Sequence, residues 1–168
     1  MLDVPYTEQL ADKQRQIEAL FKPLGVECEP MGILGMDVPF RYRDKVIAPF
    51  VKDRKRGIIS GMYAKGTHRV IDTSSCILEN EVASKVVAAI KAIMNRHDIE
   101  PYNEDTGKGF LRHAVIRVGH TSGEVLVTLV TNTEDFPHSK SFCRELVKKV
   151  PAVTTVVQNV NTRQTNVV

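Results

Sequence analysis

Between Val26 and Leu78 the apolar residues recur at every second position, whereas the segments before and just after that stretch space them by three and four. This change of period constrains the fold more than any other feature. Period two puts alternate side chains on the two faces of a sheet; a three-and-four spacing builds one stripe along a helix. Phe40, Tyr42, Asp44, Val46 and Ala48 therefore fall on one side of a strand, and Arg41, Arg43 and Lys45 on the other. Asp53–Gly57 reads as a charged turn and Gly57–Tyr63 as the partner strand. Lys65-Gly66-Thr67 makes the next turn, and His68–Asp72 starts a third strand. The result is an antiparallel meander with one basic side.

Helices flank this meander. Leu10, Gln14, Ile17, Leu20, Phe21 and Leu24 define an amphipathic helix from Thr7 to about Leu24, with Thr7 as its cap, Pro23 bending its last turn and Gly25 as a left-handed stop. A second helix, about Asn80–Arg96, buries Val82, Val86, Ala89, Ile90, Ile93 and Met94, with Asn80 as its cap. After a loop at Asp98–Gly109 come strands Leu111–Val118 and Glu124–Thr131. A third helix, about Pro137–Val150, buries Phe142, Leu146 and Val150, with Pro137 in its first turn, and a strand at Ala152–Asn161 closes the globule. This order predicts an α+β fold, a largely antiparallel sheet with about three packing helices.

At 168 residues the chain is long enough to bury roughly 70% of its unfolded surface in one core. Its 42% hydrophobic and 26% charged residues are those of a soluble globular protein. No apolar run approaches the roughly 20 residues of a membrane span. MLDVPYTEQL has neither the basic start nor the apolar stretch of a signal peptide. Cys28, Cys76 and Cys143 are too few for a disulfide framework and too far apart for a Cys-x-x-Cys motif. The chain reads as a reduced, cytoplasmic monomer. Net charge is +3, but Arg41–Arg69 holds nine basic residues against two acidic ones, a surplus of seven beside a deficit of four elsewhere. Two readings stay open: a polyanion-binding face, or a solvated hairpin whose lysines guard an edge.

The motifs are more specific. Gly61–Leu78 reads Gly-x-Tyr-x-Lys-Gly-x-His, then Ile71-Asp72, then Cys76-x-Leu78; Leu111–Val130 opens Leu-Arg-His and continues as two strands around a Ser-Gly-Glu turn. With Phe40–Lys45 and Gln158-Asn159-Val160-Asn161, in this order and at these separations, they resemble the S-adenosylmethionine-dependent RNA uridine-5-methyltransferases. Among these the resemblance is to the 23S ribosomal RNA enzymes that carry a 4Fe-4S cluster. It covers about 150 residues and corresponds to the middle of such an enzyme. It implies that residues 1–161 are a central, RNA-facing domain and 162–168 the start of a linker to a catalytic domain. It also implies that S-adenosylmethionine and the nucleophilic cysteine belong to that domain, so that the chain alone is inactive. The alternative is a free-standing RNA- or protein-binding module descended from such an enzyme.

Within the resemblance Cys76 matches the fourth ligand of the cluster, the other three lying upstream of the VPYTEQLADKQ helix opener. Four thiolates are needed, and a lone Cys76 reads as a free thiol; Cys28 and Cys143 read as core thiols. A nucleophilic grouping of Cys76, His68 and His113 lacks any sign of oxyanion donors. His97 and His138 read as surface residues, and His120 falls in a turn. RNA contact is expected from Arg41, Arg43, Lys45, Lys65, Arg112 and His113, ribosomal RNA being the implied partner. Arg41, Arg43 and Lys45, two apart on a strand, lie about 6.5–7 Å from one another, close to successive phosphates. For Arg112 and His113 an edge salt bridge and a satisfied histidine are equally open. Tyr42 is placed in the core. Asp44, where the family commonly has Asn, either weakens phosphate binding or orients Arg43 or Lys45.

Overall fold

The computed structural model describes residues 3–25 and 30–163 and resolves into two compact units, 1–39 and 40–168. Cys28 and residues 164–168 of the expected linker lie outside the described residues. The smaller unit carries α1 (Tyr6–Phe21), which continues as a 3-10 turn over Lys22–Leu24. Pro23 removes the amide an α-helical turn would use there, and Gly25 stops the chain at φ 61°, as expected. Pro5, not Thr7, occupies the cap position and no side chain caps the helix. The Tyr6 hydroxyl instead accepts from the Met36 amide, and Gln14 accepts from that of Ile33.

The larger unit contains a six-stranded sheet: β1 (Lys45–Asp53), β2 (Gly57–Tyr63), β3 (Val70–Asp72), β4 (Leu111–Val118), β5 (Val125–Thr131) and β6 (Val153–Val160). Their order is β3-β2-β1-β4-β5-β6; all neighbours are antiparallel except β5 and β6. The α+β class is therefore as the periodicity predicts. Helices α2 (Glu81–Arg96) and α3 (Ser139–Lys149) cover one face. Their Val86, Ile90, Ile93, Met94, Phe142 and Leu146 pack with Val46, Ala48, Phe50, Ala114, Ile116, Val127 and Leu129 of the sheet. Asn80 caps α2 by accepting from the Val82 amide at 2.9 Å. Glu145 of α3 binds Arg96 and His97 at the end of α2, and both hydrogen bonds hold its carboxyl below the usual range. Helix α3 starts two residues later than expected, because His138 takes a left-handed conformation at its cap.

The largest departure is at Phe40–Asp44, which is not a strand. Arg41 sits at φ 57°, a left-handed conformation that reverses the alternation. The cause is the segment it pairs with: Arg41 and Arg43 amides donate to Ile77 and Leu78, and the Asn80 amide donates back to Arg43. The Arg41 guanidinium ties the arrangement down through the carbonyls of Cys76 at 2.6 Å and Glu79 at 3.3 Å. These hydrogen bonds offset a strain of about 1–3 kcal/mol. Tyr42, expected in the core, is 45% exposed as a result.

A second irregularity lies in β4. Leu111 and Ala114 both belong to the apolar core although two residues, not one or three, separate them. A register shift against β5 between Leu111 and His113 makes this possible. It leaves Arg112 and His113 consecutive and both buried outside the apolar cluster.

Gly61 shows why a motif glycine is needed here. It pairs with Asp72 across β2 and β3, and a methyl group on it would collide with the Ile71 carbonyl and the Thr73 amide. Gly61→Ala should cost about 1–3 kcal/mol, seen as a lower urea midpoint. Gly32→Ala, where nothing lies within 4 Å, should leave the midpoint in place.

Candidate nucleic-acid interface

With α2 and α3 on one face, strand register defines the other. Lys45, Ile47, Pro49 and Val51 of β1 lie there, opposite Arg117, Val115 and His113 of β4. Ile59, Gly61 and Tyr63 of β2 continue the face. Above Ile47, Pro49, Tyr63 and His113 opens a cleft of about 830 Å3, walled by Ala64–His68 and Asp105. Most of the Gly-x-Tyr-x-Lys-Gly-x-His motif therefore lines one cavity. A neighbouring cleft of about 480 Å3 shares Tyr63, His68 and Asp105 and runs past Arg69, Glu104 and Lys108.

The wall is held by one chain of contacts. His68 Nδ1 lies 2.8 Å from Asp105 Oδ1. The Tyr63 ring stands edge-on to His68 on one side and to His113 on the other, centroids 6.1 Å apart in both pairs. His113 is 5% exposed, and its Nδ1 is buried with no hydrogen-bond partner among the described residues. Burial, reinforced by the adjacent Arg112 charge, pushes its pKa down to about 4. The Tyr63 hydroxyl is pushed up to about 12, by burial first and by the Glu104 charge second, against the opposing pull of Arg112. Both side chains are neutral at pH 7. The expectation of a satisfied histidine is not met.

Arg112 has an internal position. Its guanidinium donates to both Glu104 oxygens at 3.1 and 3.0 Å and to the carbonyls of Asn161 and Arg163 at 2.9 and 2.6 Å. It also lies 4.4 Å over the Tyr102 ring. The ion pair expected at an edge is instead buried, with 1% and 7% of the two side chains accessible. The cation is directed inward, toward the 101–109 loop and the end of β6.

The three-cation stripe does not form. Arg41 faces Glu81 and the 76–79 carbonyls, and the Arg43 charge lies near buried Glu79, whose carboxyl burial raises and Arg43 pulls back down. Lys45 alone of the three is on β1. Lys52 pairs with Glu100, and Arg56 with Asp53 and Asp72. Asp44 orients neither Arg43 nor Lys45: it accepts from the Asn80 side chain at 2.8 Å, steadying the cap of α2. Of the cations that make no ion pair among the described residues, Lys45 and Arg117 lie on the open face and Lys65 lines its cleft, while Arg69 and Lys108 line the neighbouring one. Arg117 is absent from the sequence-based set. Its alternation with Val115 and His113 was legible, but its pairing with Lys45 depends on β1 lying beside β4.

Cys76 is half-buried, its amide donating to Thr73 and its carbonyl accepting from Arg41. Cys143 lies half-buried on α3, and burial raises its thiol pKa. Among the described residues no three His, Cys, Asp or Glu side chains gather to hold a metal ion. The described residues thus do not fit a four-thiolate cluster: they bring one candidate ligand. No described helix is long and apolar enough to cross a membrane.

In fold, the chain matches part of the Pyrococcus abyssi tRNA (uracil-54, C5)-methyltransferase, solved in complex with S-adenosyl-L-homocysteine. The TM-score is 0.75 and the identity 21%, over 98% of this chain and 37% of that one. In sequence, its homologues are named uncharacterized RNA methyltransferases. Those of Bacillus cereus and Halalkalibacterium halodurans are 36% and 37% identical over 167 residues, and one from Listeria monocytogenes is 38% identical over 166. Each alignment takes in 97% of this chain, which spans 36% of the length of these curated relatives. No protein-family model matches.

Two stability measurements test this geometry. Arg112→Met strands the buried Glu104 carboxylate and should cost about 3–5 kcal/mol in urea unfolding, part of it recovered when Glu104→Gln is added. For His113, a folded pKa near 4 lies below the ordinary 6.5, so the unfolded chain binds a proton first as pH falls. Stability that is complete above pH 6.5 should decline by roughly 3 kcal/mol toward pH 4. His113→Gln should remove that component of the pH dependence.

Proposed function

We propose that this chain is the substrate-facing part of an RNA uridine-5-methyltransferase of the 23S ribosomal RNA type. The open face of the sheet would grip RNA while methyl transfer from S-adenosylmethionine is performed by another part of the longer protein. The observation that supports this best is the asymmetry of the sheet. One face is sealed by α2 and α3; the other presents the Lys45–Arg117 pair and a cleft lined by Lys65 and most of the characteristic motif of the sequence. Homologues named RNA methyltransferases support the same reading. Lys45 and Arg117, directly opposed on adjacent strands, form a local concentration of positive charge suited to phosphate. Arg41, Arg43 and Arg112 serve this face indirectly, by fixing the segments that border it. An iron–sulfur cluster in the longer protein would take Cys76 as one ligand and draw three thiolates from outside the described residues.

Changing Lys45, Lys65 and Arg117 together to Ala tests this. Affinity for a single-stranded ribosomal RNA fragment should fall, and the slope of log K against log salt should flatten by roughly 0.7 for each phosphate no longer neutralised. The far-ultraviolet circular dichroism should not change. Unaltered affinity and slope in the folded variant would assign these cations to solubility.

A further inference from the structure

Resting on the RNA-binding reading above, we infer that the cleft between Tyr63 and His113 receives one unpaired nucleobase of the bound RNA, with the His113 imidazole hydrogen-bonding its edge. The cleft's volume of about 830 Å3 falls in the range of small-molecule sites, ~300–1,000 Å3. Its lining combines apolar, aromatic and charged groups. Ile47 and Pro49 supply an apolar floor and Tyr63 an aromatic edge, while Lys65 is the only lysine or arginine among the described residues that line it and is itself exposed. Such a floor suits the face of a flat heterocycle, and one lysine in an exposed turn suits the phosphate next to it.

His113 is the decisive residue. A polar ring without partners in the free protein carries a cost that a ligand able to satisfy it removes. His113 lines this cleft, and its ring makes no hydrogen bond among the described residues. A phosphate would favour an imidazolium, which burial and the neighbouring Arg112 both oppose. A neutral imidazole instead gives one donor and one acceptor, the vocabulary of a base edge. Asp105, fixed by His68, places a carboxylate on the cleft wall, which also repels phosphate. The register shift that leaves Arg112 and His113 both buried outside the apolar core therefore gives the cleft its recognising group.

The test is a titration of the whole 168-residue chain with short single-stranded oligonucleotides, following imidazole nitrogen resonances by NMR. Oligonucleotides of adenine, cytosine or uracil should shift and saturate the His113 signals; polyphosphate should move the amides of Lys45, Lys65 and Arg117 and leave His113 in place. His113→Ala should weaken oligonucleotide binding roughly tenfold with no change in salt slope, since a neutral side chain releases no counterion. If the oligonucleotides shift the cations and not His113, the cleft is not a base site and the RNA-binding reading stands. If polyphosphate shifts His113 as strongly, the cleft is a phosphate site and the inference fails. If no oligonucleotide binds, both readings fall together.

Discussion

The larger unit is organised around a buried cation. Arg112 sits in β4, near the middle of the sheet, and a guanidinium there is tolerable only if most of its donors are met. Two hydrogen bonds go to Glu104 and two to the carbonyls of Asn161 and Arg163, and Tyr102 faces the guanidinium plane. Meeting that demand fixes the 101–109 loop and the chain beyond β6 at one place. The position of Glu104 carries over to its neighbours in the loop. Asp105 is brought to His68; His68 stands against Tyr63, and Tyr63 against His113. The wall of the cleft is thus held from beneath by an ion pair nearly sealed from solvent.

A second device fixes the other border. The segment 40–44 is laid alongside 77–80 by backbone hydrogen bonds and clamped by the Arg41 guanidinium. Asp44 and Asn80 join that clamp to the start of α2, since the Asn80 side-chain amide binds Asp44 while its oxygen caps the helix. Arg41 acts as a connector here, using the reach and planar donor geometry of guanidinium to satisfy carbonyls that no strand would satisfy. Lysines, which cannot spread donors in this way, are left to the surface. This division explains why a local surplus of positive charge yields a smaller and differently composed set of external cations.

Homology to proteins named RNA methyltransferases gives this architecture its context, and the match covers about a third of their length. The fold shared with the Pyrococcus abyssi protein likewise covers about a third of that chain. The sheet is sealed on one face by helices and bears cations and clefts on the other.

The sequence alone determined the elements whose cause is local. Asn80 caps α2 because its side chain reaches an amide two residues on, and Gly25 stops the first helix because glycine tolerates a positive φ. The three-and-four pattern placed the buried faces of α2 and α3, since burial on one side leaves a repeat, and the turn residues bounding β2 and β4 placed those strands. Features that depended on distant partners were not legible. Phe40–Lys45 alternates like a strand, yet Arg41 turns left-handed because Ile77, Leu78 and the carbonyls of 76 and 79 compete for it. Arg112-His113 looks like the polar opening of an edge strand; only a register shift beside β5 buries both, one in an ion pair and the other with an unmet Nδ1. Local pattern reports which face of an element is apolar, and the tertiary structure alone decided which of these polar groups found partners, because the partners lie on other elements of the chain.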